Sequence, residues 1–586
     1  MEKEMEGALV EEEMNEQQEE EKQDMNNNQR CKGGLITMPF IIGNEALAKM
    51  ASVGLSPNMI VYLIGDYRLR VVKATKIMFF WFAATNFAPL FGAFLADSYL
   101  GRFLAIAFGS IITFLGMALL WLTAMIAEAR PSPLSHESAT APQLALLITC
   151  FALISIGGGG IFCSLAFGAD QLNNNNNKKE RVLESFISWY IASQAVSVVF
   201  SLTAIVYIQD RYGWKLGFGV PAALMLLSTV FFFLLSHRYV KHKPHKSLLT
   251  SFAQVIVVAF KNRKLQLPPT THHPILYHHN KDSTLVAPSH KLRFSAIIFI
   301  LNDNQEIKKA CIVTNNNNNS SWSVCTIEQV EELKAIIKVI PLWSSGFMLS
   351  ISSSQSSFFL LQAKTMNRHI TSNFQIPAGS FPVFIMISVF ITAGVYDRLI
   401  IPLASKLRGK PVRISAKNRM GIGLFFCFLD LVVSAVVENI RRRKAIREGY
   451  IDNPEAILDM SAMWLIPHNV LNGIAEAFNA IGQSEFYYTE FPRSMSSIAA
   501  ALFSFGSAIG NLLASLIFSI VDDITSKEGK QSWVSDNINK GHYDKYYWVL
   551  AIMSAVNMVY YLVCNWAYGP TIEDAAGNRV HEEEEK

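Results

Sequence analysis

Long apolar segments recur along the whole chain, and they constrain its fold more than any other feature. A membrane helix needs about 20 mostly apolar residues, and twelve such segments can be marked in the sequence. Soluble domains average about 25% charged residues, whereas only 17% of these 586 residues are charged and 51% are hydrophobic. We therefore predict an all-α membrane protein with twelve transmembrane helices, at roughly 36–63, 75–96, 103–126, 143–168, 183–208, 216–236, 336–361, 378–396, 419–438, 460–483, 496–521 and 546–566.

A long polar segment divides these spans into two sets of six. It is interrupted by prolines and contains the asparagine tract 315–319, a composition that is typical of a linker. Its last part, Ile327–Lys338, alternates charged and apolar residues and indicates a helix on the membrane surface. The predicted units are a disordered cytosolic tail at 1–33, a six-helix bundle at 34–236, a cytosolic linker at 237–335, a second six-helix bundle at 336–567 and a cytosolic tail at 568–586.

The orientation in the membrane does not follow from the positive charges alone. The basic loop Lys406–Arg419 fits a cytosolic loop, but the basic run Arg441–Lys444 falls on the opposite side of the membrane in a twelve-span arrangement. The even number of spans and the hydrophilic start, which lacks the features of a signal peptide, place both termini in the cytosol.

Several other classes of protein are excluded by the sequence. The net charge of +4 is a small difference between 51 basic and 47 acidic residues, and it gives no nucleic-acid footprint. The cysteines are scattered, and the histidine pairs at 272–273 and 278–279 lack a metal-site scaffold. The run Gly157–Gly160 lacks the lysine of a phosphate-binding loop and indicates close helix packing or a hinge. We predict no metal and no enzyme activity, because no nucleophile and base pair or cofactor loop is present.

Charged side chains inside predicted spans are the first functional candidates, because burying each of them in a membrane costs at least a few kcal/mol. Glu45 and Lys49 stand four residues apart in the first span and therefore share one helical face. Glu476 lies deep in the tenth predicted span, where a carboxylate can gain and lose a proton as access alternates. Two alternatives remain: a self-neutralised Glu45–Lys49 pair, and a structural hydrogen bond from Glu476 to a neighbouring helix.

The seventh predicted span carries a run of serines around Gln355, namely Ser350, Ser352, Ser353, Ser354, Ser356 and Ser357. Hydroxyl and amide groups can bind a polar solute through neutral hydrogen bonds. Small polar residues also let membrane helices pack closely, and the sequence is equally consistent with that role.

Similar charged residues follow two corresponding spans. Asp97 and Arg102 lie after the second span, and Asp397 and Arg398 lie after the eighth. This correspondence is a weak internal repeat, typical of transporters built from two related bundles. We assign these four residues to conformational gating.

Seven short segments are distributed over almost all of the predicted spans, namely Gly43–Glu45, Ala96–Arg102, Phe167–Gln171, Val206–Asp210, Tyr396–Arg398, Gly482–Phe486 and Asn539–Gly541. Together they resemble the motifs of the proton-dependent oligopeptide transporter superfamily. The long linker and the segment Gly213–Pro221 resemble its plant nitrate and peptide branch. The resemblance implies a major facilitator fold and alternating access around a central cavity. It also implies proton-coupled uptake, commonly of nitrate, with peptides, hormones or other plant acids carried by relatives.

The chain departs from this family at four functional positions. The motif Glu-x-x-Glu followed by Arg or Lys lacks its second carboxylate in Glu45–Lys49, and the fourth-span lysine that pairs with Glu476 in many relatives is replaced by Ile161. The histidine that binds nitrate in one relative aligns with Ser353, and its phosphorylated threonine aligns with Ala84. These differences argue against high-affinity nitrate binding and against a phosphorylation switch at that position.

The resulting prediction is a plasma-membrane symporter that carries nitrate at low affinity, with the proton gradient as driving force and no cofactor. Glu45, Lys49 and Glu476 would couple protons, and Ser353, Gln355 and Lys49 would contact the substrate. One alternative is a carrier of a larger organic acid, such as a hormone or secondary metabolite, or of peptides. The missing asparagine of the fifth-span peptide signature, in 190–197, argues against a general peptide carrier. Another alternative is a transport-defective sensor.

Overall fold

A computed structural model of the chain describes residues 33–131, 137–172, 179–241, 248–261, 325–409, 414–492, 495–527 and 531–569. The predicted tails, apart from residues 33, 568 and 569, lie outside these ranges. The asparagine tract and the histidine pairs also lie outside them. The predicted division into two bundles and a linker therefore stays a prediction over those parts.

The described residues form a bundle of long helices, which confirms the predicted all-α membrane fold. Eleven helices in the described ranges are long and apolar enough to cross a membrane. The tenth span, Ile466–Glu490, carries three glutamates and is too polar for that criterion. Its 25 residues extend about 37 Å and pack along the ninth span. The other spans are Leu35–Gly65, Val71–Leu100, Arg102–Met125, Ala141–Gln171, Arg181–Tyr212, Trp214–Leu234, Ile327–Lys364, Ala378–Leu407, Ala416–Arg447, Ile498–Thr525 and Tyr543–Tyr568.

Corresponding spans of the two halves share a backbone irregularity. The second span ends in a π-helical turn at Ala96–Leu100, and the eighth span has one at Tyr396–Ile400. These turns contain Asp97 and Asp397, the residues that indicated an internal repeat in the sequence. The fifth span has a third such turn at Ser201–Ile205. The repeat is therefore visible in the backbone as well as in the residue types.

Short elements connect the spans. The strands Met366–Asn367 and Leu458–Ser461 pair in parallel, and His369–Thr371 pairs antiparallel with Phe374–Gln375. The helix Leu248–Lys261, between the two sets of spans, packs its apolar side on the beginning of the seventh span. That span is helical without a break over Ile327–Ser345. The segment 327–338 is therefore helical, as predicted, but it is continuous with the seventh span and does not precede it, and its position relative to the membrane surface stays a prediction.

The two halves meet on the side of the bundle opposite to Gly33 and Gly569, which we call the distal side. Residues of the first span, such as Met59 and Tyr62, share one apolar cluster with Phe381 and Met460 of the second half. The Arg70 guanidinium also donates a hydrogen bond to Asp536 across the halves, at 3.0 Å. The distal side is therefore packed shut in this structure.

The basic run at 441–444, which conflicts with the positive-inside rule, is largely bound by the protein itself. Arg441 is fully buried and forms an ion pair with Glu438 at 2.7 Å. Arg442 donates to the Gly541 carbonyl at 2.7 Å, and Lys444 lies 3.7 Å from the carboxylate of Glu448. These charges stabilise the distal loops, so they carry little information about membrane orientation.

The glycine run at 157–160 lies where the fourth span contacts the second and third spans. A Cβ atom on Gly159 would lie 2.4 Å from the Ala88 carbonyl oxygen, and one on Gly160 would lie 2.3 Å from that of Ala105. The close helix packing that the sequence indicated is confirmed by these distances.

We predict that Gly159→Ala destabilises the protein by about 1–3 kcal/mol, because the added methyl group overpacks a contact with rigid backbone. Gly158→Ala is the matched control, since a Cβ atom there meets no atom within 4 Å. Thermal unfolding of the purified proteins in detergent measures both effects. Equal melting temperatures for the two variants would contradict the prediction.

Candidate functional site

A cavity of about 310 Å³ lies between the second, seventh, tenth and eleventh spans. Its lining combines hydroxyl and amide groups with a few apolar side chains and one carboxylate. The lining residues are Phe82, Asn86, Leu349, Ser350, Ser353, Ser354, Ser356, Glu476, Phe503, Ser507 and Asn511. The two halves of the bundle both contribute, so the cavity lies at the interface where alternating access would operate.

Glu476 supplies the single ionisable side chain among the described residues that line this cavity. Its carboxylate has no hydrogen bond or ion pair with any described residue, and none of the described lining residues is a lysine, arginine or histidine. The hydrogen bond to a neighbouring helix, which was the structural alternative for Glu476, is therefore not observed in the described part of the chain. Ile161, at the position of the family's partner lysine, is buried in an apolar cluster. Glu476 is therefore an uncompensated carboxylate that faces open space.

The serine-rich part of the seventh span is bent where it meets the cavity. Its helix is interrupted between Phe347–Ser353 and Ser356–Lys364, and Ser353 is exposed to the cavity. Gln355 points away and is fully buried, where its amide donates to the Ile351 carbonyl at 2.8 Å. The Tyr546 hydroxyl donates to its side-chain oxygen at 3.1 Å. The structure therefore places Ser353 at the cavity and Gln355 in the packing behind it.

Glu45 and Lys49 lie in the first half and do not line this cavity. The Gln194 amide of the fifth span donates to Glu45 Oε1 at 2.7 Å, and Glu45 Oε2 is buried without a hydrogen-bond partner among the described residues. No ion pair within 4.0 Å joins Glu45 to Lys49 in the described part of the chain. The alternative of a closed, self-neutralised pair is therefore not observed. Gln194, which sequence reasoning did not select, is the polar partner of Glu45.

Arg102 forms a bidentate ion pair that the sequence analysis missed. Its Nη1 atom donates to both carboxylate oxygens of Asp170, at 2.9 and 2.8 Å, whereas its Nε atom lies 3.4 Å from Asp97. Asp170 follows the fourth span in the quoted segment Phe167–Gln171, which was the available signal. All three residues belong to the first half, so the pair fixes the ends of its second, third and fourth spans.

The corresponding pair in the second half does not use the predicted residues. Asp397 and Arg398 are exposed, and neither forms an ion pair with another described residue. Arg419, at the start of the ninth span, instead contacts Glu485 near the end of the tenth. Its guanidinium also lies 4.6 Å from the Tyr396 ring. Arg102–Asp170 and Arg419–Glu485 therefore occupy corresponding positions in the two halves.

Comparisons with known proteins agree with this architecture. The POT family model matches residues 103–534. The chain is 57% identical to the Arabidopsis thaliana protein NRT1/PTR family 1.2 over 578 residues, covering 96% of this chain and 94% of that protein. The chain belongs to the plant NRT1/PTR branch of the POT family. It is also 54% identical to NRT1/PTR family 1.1 of the same plant, covering 95% of this chain and 96% of the relative.

A solved member of the POT family shares the fold. The crystal structure of the transporter PepTSo matches with a TM-score of 0.65 and 17% sequence identity, covering 91% of this chain and 99% of that one. Membership of the POT family makes this chain a multi-pass membrane transporter and not an enzyme. The cavity described above lies between helices of this transporter fold.

The Arg102 contacts lead to a prediction for this NRT1/PTR protein. We expect Asp170→Asn to destabilise it by about 1–2 kcal/mol, because a charge-assisted bidentate pair is lost and Arg102 is left partly buried. Asp97→Asn is the matched control and should have a smaller effect, since Asp97 makes one long contact with Arg102. Thermal unfolding in detergent compares the two variants. A larger loss for Asp97→Asn would show that the bidentate contact is not the stabilising one.

Proposed function

We propose that this transporter imports nitrate together with protons, at low affinity, by alternating access. The observation that supports this most directly is Glu476, a carboxylate without a cation, in a cavity otherwise lined by neutral groups. The plasma-membrane location belongs to the proposal and rests on the family resemblance. The driving force is the proton gradient, and no cofactor takes part.

The charge of Glu476 links anion binding to proton binding. An ionised Glu476 repels nitrate in a cavity of low dielectric constant, and no lysine, arginine or histidine among the lining residues offsets that repulsion. A protonated Glu476 removes the repulsion and offers a hydroxyl donor. Nitrate therefore favours the protonated form, and by thermodynamic linkage protonation raises the affinity for nitrate equally.

The size and chemistry of the cavity favour a small solute that is bound weakly. Its volume of about 310 Å³ lies at the lower end of the range of about 300–1,000 Å³ for ligand pockets. The donors that face it, such as the hydroxyls of Ser353 and Ser507, are neutral, and no lysine, arginine or histidine among the described lining residues adds an ion pair to their hydrogen bonds. A nitrate ion that is held without an ion pair binds with low affinity.

Release on alternate sides requires the distal contacts to open. The shared apolar cluster and the Arg70–Asp536 bond close the distal side in the present conformation. Protonation of Glu45, which has one hydrogen-bonded and one unpartnered carboxylate oxygen, is proposed as a further coupling step in the first half. Lys49, one helical turn away, would adjust the charge of that carboxylate.

We predict that Glu476→Gln abolishes the stimulation of nitrate uptake by external acid, because glutamine imitates the protonated carboxyl at every pH. In wild type, uptake that is limited by the binding of one proton rises by up to about tenfold for each unit by which the external pH is lowered. The variant should still exchange internal for external nitrate, since the neutral form binds the anion. Labelled-nitrate uptake and exchange in oocytes, at acidic and neutral external pH, measure both activities.

Glu490→Gln is the matched control, because Glu490 lies in the same span but binds Lys338 at 2.9 Å outside the cavity. It should keep the acid stimulation. If the wild-type protein reaches the surface and carries no nitrate at either pH, the proposal of nitrate symport fails. Organic acids would then be tested as substrates, and the absence of any flux would favour a sensor.

We also predict that Ser353→Ala raises the KM for nitrate by about ten- to a hundredfold, because one hydrogen bond to the anion, worth about 1.5–3 kcal/mol, is lost. Ser357→Ala is the control, since Ser357 is buried on the same span and does not line the cavity. Concentration-dependent uptake at acidic pH gives the two constants. An unchanged KM for Ser353→Ala would remove this side chain from the substrate site.

A further inference from the structure

Besides Glu476, the C-terminal half buries the carboxylate of Asp430 behind the residues that line the cavity. Asp430 of the ninth span is 0% exposed and His468 of the tenth span is 3% exposed. His468 Nδ1 is hydrogen-bonded to Asp430 Oδ1 and also lies 3.0 Å from the Ser434 hydroxyl oxygen. Asp430 Oδ2 accepts from the Ser352 hydroxyl at 3.0 Å and from the Asn472 amide at 3.3 Å. Both carboxylate oxygens are therefore bound, and the histidine is the single ionisable side chain among these partners.

The charge of this pair depends on one proton. With a neutral imidazole that donates from Nδ1, the pair carries one negative charge. No lysine or arginine contacts either residue in the described part of the chain. A buried charge without a partner is costly, and one further proton makes the pair neutral overall. His468 Nε2 has no hydrogen-bond partner among the described residues, so it is free to carry that proton.

An aromatic ring covers one face of the histidine. The Phe359 ring stacks on the imidazole with 3.5 Å between the ring centroids and 26° between the planes. This packing holds the imidazole in the orientation in which its Nδ1 atom meets Asp430.

Other titratable groups surround the pair without supplying a compensating charge. The ninth span contributes the Cys427 thiol and Glu438, and Glu438 is already neutralised by Arg441 at 2.7 Å. The twelfth span contributes Tyr547, whose buried hydroxyl has no partner among the described residues. The tenth span contributes Glu476, two helical turns beyond His468, and the seventh span contributes no ionisable side chain at the pair. The nearest charges are therefore negative or already paired.

We propose that Asp430 and His468 form a second proton-binding site within the C-terminal half, beside Glu476 and in addition to Glu45 of the N-terminal half, which takes up and releases one proton as the transporter cycles. This inference rests on the proposed proton coupling for its transport readout, but the binding of the proton itself does not depend on the identity of the substrate. The pair is neutral when loaded and carries one negative charge when the proton leaves.

The two hydrogen-bond donors of Asp430 lie close along the chain to residues that line the cavity. Ser352, which donates to Asp430, precedes the cavity residue Ser353 at the bend of the seventh span. Asn472, the other donor, precedes Glu476 by one helical turn. A change of charge on Asp430 alters both hydrogen bonds, and with them the positions of Ser353 and Glu476. The proton at the pair and the solute in the cavity therefore influence each other through two short connections.

The first test is the pH dependence of stability in purified protein. Asp430→Asn, His468→Gln and the double variant are compared with wild type by thermal unfolding at a series of pH values. The double variant retains neither titratable group, so the difference in melting temperature between wild type and the double variant should change with pH. Each single variant retains one titratable group without its partner, so its pH profile should differ both from that of wild type and from that of the double variant.

Asn469→Ala is the matched control for loss of a buried polar group. Asn469 adjoins His468, and its amide donates to the Leu465 carbonyl at 2.7 Å without a titratable partner. This variant should lower the melting temperature by the same amount at every pH. If Asp430→Asn and His468→Gln behave in the same way as this control, the pair binds no exchangeable proton and the inference is overturned.

The second test uses charge balance in oocytes. Each proton beyond the first that enters with a nitrate carries one positive charge inward. Wild type should therefore show an inward current with nitrate uptake, and Asp430→Asn and His468→Gln should lower the ratio of current to uptake by one positive charge per nitrate. Glu476→Gln should instead lose acid-stimulated uptake.

The two tests separate the two proposals. If acid stimulates nitrate uptake but the ratio of current to uptake is unchanged in Asp430→Asn and His468→Gln, the second proton site is wrong and nitrate symport stands. If wild type carries no nitrate, the proposed function is wrong, and the stability measurements decide by themselves whether Asp430 and His468 bind a proton.

Discussion

The membrane interior offers no water to charged side chains, and this constraint governs the polar part of the structure. A charge that enters the bundle has to be neutralised or hydrogen-bonded, or it has to face a cavity. Arg441 shows the first solution, because all of its guanidinium donors are used by Glu438, Thr365, Asn539 and the Ile538 carbonyl. These hydrogen bonds fix the Arg441 side chain, which thereby links the ninth span to the end of the seventh span and to the loop before the twelfth.

The same constraint separates structural charges from mobile ones. Arg102–Asp170 and Arg419–Glu485 pair opposite charges at corresponding places in the two halves, so each pair holds together the span ends of its own half. Glu45, Glu476 and the Asp430–His468 pair lack a cation at contact distance among the described residues. The proposed coupling therefore uses the groups that the fold leaves uncompensated.

Most of the fold was predictable because membrane helices have to satisfy their backbone hydrogen bonds within one continuous segment. The lengths of the apolar segments predicted the positions of the spans, and the run Gly157–Gly160 predicted the close packing of the fourth span against its neighbours. Part of the site was also predictable, since Glu476 and Ser353 do line the cavity. Gln355 was misplaced because a serine-rich helix with a bend does not reveal which of its faces is packed, and Asp397 and Arg398 were chosen for a repeat whose ion pair uses other residues.

The sequence by itself determined how many helices there are, which of them carry polar groups, and the family to which the chain belongs, because these properties are local or are written in short motifs. The tertiary structure alone decided which polar groups meet. Asp430 and His468 are 38 residues apart in the chain and bond directly, whereas Glu45 and Lys49 share a helical face and form no ion pair within 4.0 Å. The physical reason is that contacts between helices depend on the packing of whole helical faces, and the order of residues along one helix does not specify the face that its neighbour presents.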